Sequence, residues 1–145
     1  MKTTIKLFLL ALTTISLASC SKSNDDNPSN SSTSKTDQVS GNWTVTYYVD
    51  SGKDETNDFN GYNFDFAANG VLTAVNGAST FTGTWRIGDS SSDDDSSSNK
   101  LVIFITGNKY MDDLQDDWLI LSISGTEIRL RDDNLSSAEE LHFGR

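Results

Sequence analysis

Residues 61–87, GYNFDFAANGVLTAVNGASTFTGTWRI, decide the fold. Tyr62, Phe64 and Phe66 alternate with Asn63 and Asp65, so in an extended chain the three rings share one face. Asn69-Gly70 follows, then the apolar run 71–75, then Asn76-Gly77. Asn-Gly between apolar runs signals a hairpin, because a type I′ turn needs positive φ at both central residues. Phe81, Gly83, Trp85 and Ile87 alternate with Thr82, Thr84 and Arg86. The stretch therefore predicts three antiparallel strands joined by two tight Asn-Gly turns.

The same alternation extends in both directions. Upstream, Trp43, Val45, Tyr47 and Val49 alternate with Thr44, Thr46 and Tyr48, which predicts a first strand with the former set inward. Residues 51–60 read as a polar connection. Downstream, residues 88–99, GDSSSDDDSSSN, read as a long solvated loop. Residues 101–105, LVIFI, are apolar on both faces and predict a strand covered on both sides, with Phe104 beneath the segment that follows. Residues 108–117 hold the one helical candidate: Asn108 can cap, and Tyr110, Met111 and Leu114 share a face. Strands at 118–124, 127–131 and 141–143 complete the set. About eight short strands and one short helix predict an all-β fold, a small antiparallel up-and-down meander barrel, since closure removes exposed strand edges.

The chain has 145 residues, a length for one domain. Lys2 and Lys6 precede a short, mostly apolar run ending in Leu17-Ala18-Ser19-Cys20. That run is too short to span a bilayer and reads as a signal peptide over residues 1–19. Residues 20–40 then read as a lipidated cysteine and a disordered tether, poor in apolar side chains, and residues 41–145 as the folded domain. A flexible tether of this length spans roughly 25 Å.

The formal charge is −10, and losing Lys2 and Lys6 makes it −12. So acidic a surface argues against nucleic acid and against electrostatic docking on anionic lipid. Cys20 is the only cysteine, so no internal disulfide supports the fold.

Leu17-Ala18-Ser19-Cys20 resembles the lipobox of bacterial lipoproteins, which implies a diacylglycerol thioether and further acylation on Cys20. Several acyl chains make a stable anchor. Asp25 and Asp26 resemble, loosely, the acidic export signal of surface lipoproteins in Bacteroidetes. Gly41-Asn42-Trp43 resembles the Gly-x-Trp opening of lipocalins. The order of that motif, Tyr62-x-Phe64-x-Phe66 with Asn69-Gly70, Gly83-Thr84-Trp85 and Asp117-Trp118 resembles the lipocalin-like lipoproteins of Bacteroidetes over residues 41–143. The resemblance implies a meander barrel at the outer membrane, facing the periplasm or the exterior. It implies no ligand, since fold does not fix function.

Trp43, Tyr47, Tyr62, Phe64 and Trp85, with Phe66 and Phe81, are the candidate ligand-binding residues, either lining a calyx or filling the core of a barrel just wide enough for side chains. The acidic runs 93–95, 112–113, 116–117 and 132–133 could supply oxygens to calcium, but none has the spacing of an EF-hand, and no metal or other cofactor is expected. His142 is the lone histidine, and no serine elbow, zinc pattern or phosphate loop appears. The sequence thus points to an anchored, non-catalytic protein that binds a small apolar or glycan-derived ligand at the barrel rim. The alternative is an interaction subunit of a cell-surface complex that meets a protein partner through Tyr48 and Phe104.

Overall fold

The computed structural model describes residues 33–88, 99–134 and 136–145. Residues 1–32, with the expected signal peptide, Cys20 and most of the expected tether, and residues 89–98 of the expected loop lie outside the described residues. Strands β1 (Gly41–Asp50), β2 (Lys53–Asp54), β3 (Asn63–Phe66), β4 (Val71–Asn76), β5 (Ser79–Ile87), β6 (Lys100–Phe104), β7 (Asp116–Ile123), β8 (Glu127–Asp132) and β9 (Glu140–Gly144) pair antiparallel with their sheet neighbours. Strand β9 returns to β1, which closes eight strands into a barrel, with the two-residue β2 attached at the end of β1.

Three helical turns accompany the strands: α1 (Lys35–Val39), a 3-10 turn at Thr56–Phe59 and α2 (Lys109–Asp112). Helix α1 corrects the tether reading, because the folded part begins before Gly41. Ser34 caps α1 through Asp37 N–H, and Val39 is wholly buried among the barrel residues. The apolar content of this stretch is almost all in Val39, too little to register in a composition. Helix α2 starts as expected, with Asn108 Oδ1 accepting from Met111 N–H at 3.0 Å. Residues 51–60 are more than a connection, since Phe59 enters the core.

Both Asn-Gly turns occur, but neither is the expected two-residue Asn-Gly turn. Residues 67–70 form a four-residue connection in which Gly70, at φ +84°, donates to Ala67 O at 2.9 Å. In the second, Asn76 pairs with Ser79, so Gly77-Ala78 are the central residues and Gly77 carries the positive φ of +58°.

Strand β1 departs from simple alternation. Val45 pairs with Phe143 and Tyr47 with His142, so Thr46 is an extra residue opposite one step of β9. A bulge of this kind shifts the inward phase by one. Tyr47 therefore faces solvent and Tyr48 is buried, the reverse of the expectation. Phe104 is 60% exposed, so the outer face of β6 is not covered as predicted.

Gly83 lets β5 and β6 approach closely. A Cβ there would collide with Phe104 O and lie 2.8 Å from Ile105 Cα, both backbone atoms that cannot swing away. Gly125, in the β7–β8 turn, has no such neighbour. Gly83→Ala is expected to destabilise the chain by about 2 kcal/mol or more, and Gly125→Ala to stay within about 0.5 kcal/mol of wild type. Urea denaturation of both variants checks this.

Candidate functional site

The aromatic set fixes what the barrel can hold. Trp43, Phe64, Phe66 and Phe143 are at most 1% exposed, and Trp85 is 3% exposed. Phe64 and Phe66 meet the edge of Phe143 at centroid distances of 5.5 and 5.3 Å, and Phe66 meets Trp85 at 5.6 Å. Such edge-to-face contacts are the favoured packing of aromatic rings. Of the five predicted ligand-binding residues, the structure brings Trp43, Tyr62, Phe64 and Trp85 together as core and places Tyr47 outside.

Each indole N–H is also committed to the chain itself. Trp43 Nε1 donates to Val39 O at 2.7 Å and so ties α1 across one end of the barrel. Trp85 Nε1 donates to Ala67 O at 2.9 Å and holds the β3–β4 turn. Trp118 Nε1 donates to Leu114 O at 3.0 Å and holds the segment after α2 at the other end. Met111, Leu114 and Phe59 are buried there, Tyr48 Oη donates to Asp113 O at 3.2 Å, and Asn108 Nδ2 donates to Tyr62 Oη at 3.2 Å. The calyx reading fails on this packing, since caps of residues from both ends fill what would be its mouth.

A cluster of acids occupies the α2 end. Asp50, Asp116, Asp132 and Glu139 each stand two residues from an inward apolar side chain (Tyr48, Trp118, Leu130 and Leu141), so all four fall on the inner face of neighbouring elements. Burial is the main cause that raises the Glu139 carboxyl to about 7, helped by Asp50, Asp132 and Asp116 and by a hydrogen bond with Asp50. Burial likewise raises Asp116, which hydrogen-bonds Asp132. Burial also pushes on Asp132, but hydrogen bonds from the Ser137 side chain and Asn134 N–H outweigh it and hold that carboxyl below its usual value. Burial, then the charges of Glu139 and Asp50, push the Tyr48 phenol up. Carboxyl–carboxyl hydrogen bonds need a proton on one partner, so this end of the barrel retains protons that free carboxyls would lose.

Oxygens of Asp116, Asp132 and Asp133 lie within 4.8 Å of one another, close enough for one cation to bridge. Lys100 Nζ sits 2.8 Å from Asp133 and Asn134 N–H donates to Asp132, so the group is partly satisfied from within. Of the acidic runs named as possible oxygen donors to calcium, 93–95 lies outside the described residues. Sequence reading missed the convergence of Asp50, Asp116, Asp132 and Glu139, because only the strand register brings them to one end.

Tyr47 and His142 form a second group, on the outer wall. Their rings lie 4.9 Å apart. His142 Nε2 is 2.6 Å from Glu140 Oε1, and Arg129 donates to the same oxygen at 3.3 Å. The His142 hydrogen bond is the main cause that lowers the Glu140 carboxyl.

With this geometry in view, two solved structures are similar to the chain. One is a lipocalin-like protein from Bacteroides uniformis, 15% identical, with a TM-score of 0.53 over 74% of this chain and 98% of that one. The other is a DUF4847 family protein from Bacteroides vulgatus, 16% identical, with a TM-score of 0.51 over 72% of this chain and 92% of that one. The fold is lipocalin-like. At this identity the likeness extends to the fold alone. No protein-family model matches the sequence, and no curated protein matches it.

The acids generate a pH dependence. Glu139 has a folded pKa of about 7 against an ordinary value of 4.5, so the folded state binds more protons between those values. Stability is therefore expected to fall as pH rises through that window. Glu139→Gln should flatten the fall and raise the urea midpoint at pH 8. Midpoints of wild type and variant at pH 5, 6, 7 and 8 check this, and parallel curves would refute it.

Proposed function

We propose that the chain is a lipid-anchored, non-catalytic lipoprotein of the outer membrane, held through Cys20, whose barrel is a rigid scaffold that makes its contacts on the outside. The packing of the interior carries this reading: the largest side chains are fully buried among themselves, and both ends are capped from within. In the interior, where a calyx would keep space for a ligand, Phe143 packs against Phe64 and Phe66. The names of the two similar structures state no activity, which is compatible with a binding or structural role. Among the described residues no helix is long and apolar enough to cross a membrane, and the lipobox resemblance supplies the anchor instead.

A protein partner is the second reading of the same outer surface, favoured by Phe104 at 60% and Leu121 at 46% exposure. Tyr48 no longer supports it, being buried.

Two measurements test the proposal. Expressed in a bacterium with radiolabelled palmitate, the wild-type chain is expected to carry label and pellet with membranes, and Cys20→Ser to lose both; label retained by the variant would remove the anchor from the account. A fluorescent fatty acid added to the purified chain is expected to keep its aqueous emission, whereas saturable enhancement with quenching of tryptophan would show an interior site.

A further inference from the structure

The outer wall of β8, β9 and β1 carries a groove with a glycine floor. In the register, Gly144 of β9 lies between Thr44 of β1 and Glu127 of β8. One pleat along β9, His142 lies between Tyr47 and Arg129. A shallow, open depression of about 650 Å³ lies here, lined by Thr44, Thr46, Ser124, Thr126, Glu127 and Arg145, with Gly144 in its floor.

The walls are built, not incidental. A Cβ on residue 144 would come 2.8 Å from Thr46 Cγ2, so glycine keeps the floor low. The bulge turns both Thr46 and Tyr47 outward, and the exposed Tyr47 ring, packed on His142, stands on the same wall beside the depression without lining it. The lower wall is held by Arg145 N–H donating to Thr126 O at 3.1 Å, by Arg145 Nε donating to Gly125 O at 2.8 Å, and by Glu127 N–H donating to Ser124 Oγ at 2.9 Å.

The lining selects among ligand classes. The Thr44, Thr46 and Ser124 hydroxyls donate to Gly144 O, His142 O and Glu127 O and keep lone pairs that accept. Thr126 adds a fourth hydroxyl, Glu127 a carboxylate, and Arg145 a guanidinium that already donates to Gly125 O and Ser40 O, and no aliphatic side chain lines the depression. That excludes an acyl chain. Glu127 opposes an anion and Arg145 opposes a cation, and nucleic acid meets a chain of net charge −10. An uncharged polyhydroxylated ring answers both kinds of group, and the Tyr47 ring offers a flat amphipathic face for its C–H side. We propose that the groove over Gly144 is a binding site for a neutral oligosaccharide. This deepens the outer-surface reading and rests on it.

Calorimetric titration of the full chain in lauryldimethylamine oxide, a detergent without sugar, tests the site. The probes are cellohexaose, xylohexaose, maltohexaose and chitohexaose, with polygalacturonate as the charged arm. At least one neutral hexaose is expected to bind, and Tyr47→Ala and Thr44→Val each to weaken it about tenfold or more, with the urea midpoint unchanged for both exposed positions. No neutral probe binding at millimolar concentration, binding by polygalacturonate alone, or binding that survives both substitutions would overturn the proposal. A result against the Cys20 anchor leaves this titration unaffected, so the two failures are separable.

Discussion

Strand β1 has to pair along both edges. Its first three residues pair with β3, its later residues pair with β9, and its last two with β2. Closure of the barrel runs through this strand, because among the described residues β9 pairs with β8 and β1 alone. The bulge at Thr46 lets β1 keep both ladders while the wall curves, at the cost of one unpaired step. Two consequences follow from that one extra residue. Tyr48 turns inward, where its hydroxyl reaches Asp113 O and ties β1 to the α2 end. Tyr47 turns outward, onto His142. The same local event thus helps to seal the barrel and places an exposed aromatic ring beside the outer groove.

The caps depend on tryptophan in the same way. Trp43 lies at the start of β1, under the Arg145 guanidinium at 4.0 Å from its ring, and its N–H holds Val39. A cation over an indole contributes about 0.5–2 kcal/mol. Arg145 in turn donates to Ser40 O and Gly125 O, so the last residue of the chain joins α1, β1 and the β7–β8 turn. At the opposite end Trp118 and Tyr48 hold the segment after α2. A ligand inside the barrel would have to displace rings that already have their hydrogen bonds and their edge-to-face neighbours. The polar chemistry that a ligand could reach lies at the surface, in hydroxyls and charges along β1, β8 and β9.

Much of the architecture was legible in the chain. Phe64, Phe66, Leu72, Ala74 and Trp85 point inward as alternation requires, and Asn108 caps α2 as its residue type requires. What alternation could not carry was the position of an irregularity. Nothing in TVTYYV marks Thr46 as the extra residue, so the orientation of Tyr47 and Tyr48 was inverted. Helix α1 was missed because its burial rests on Val39 alone. Phe104 was assigned a cover because an apolar run looks two-faced whether or not a neighbour exists. Of the site, the residue types were visible, but their grouping was not: Asp50 and Glu139 are far apart in sequence, as are Thr44 and Gly144, and the ring closure joins each pair.

The central claim is that the barrel interior is packed by its own side chains and closed at both ends. A crystal of the chain pressurised with xenon measures this directly, since xenon enters apolar voids and scatters strongly. The account predicts no xenon among Trp43, Phe64, Phe66, Trp118 and Phe143. Xenon bound between those rings would contradict it and would return the interior to consideration as the ligand site.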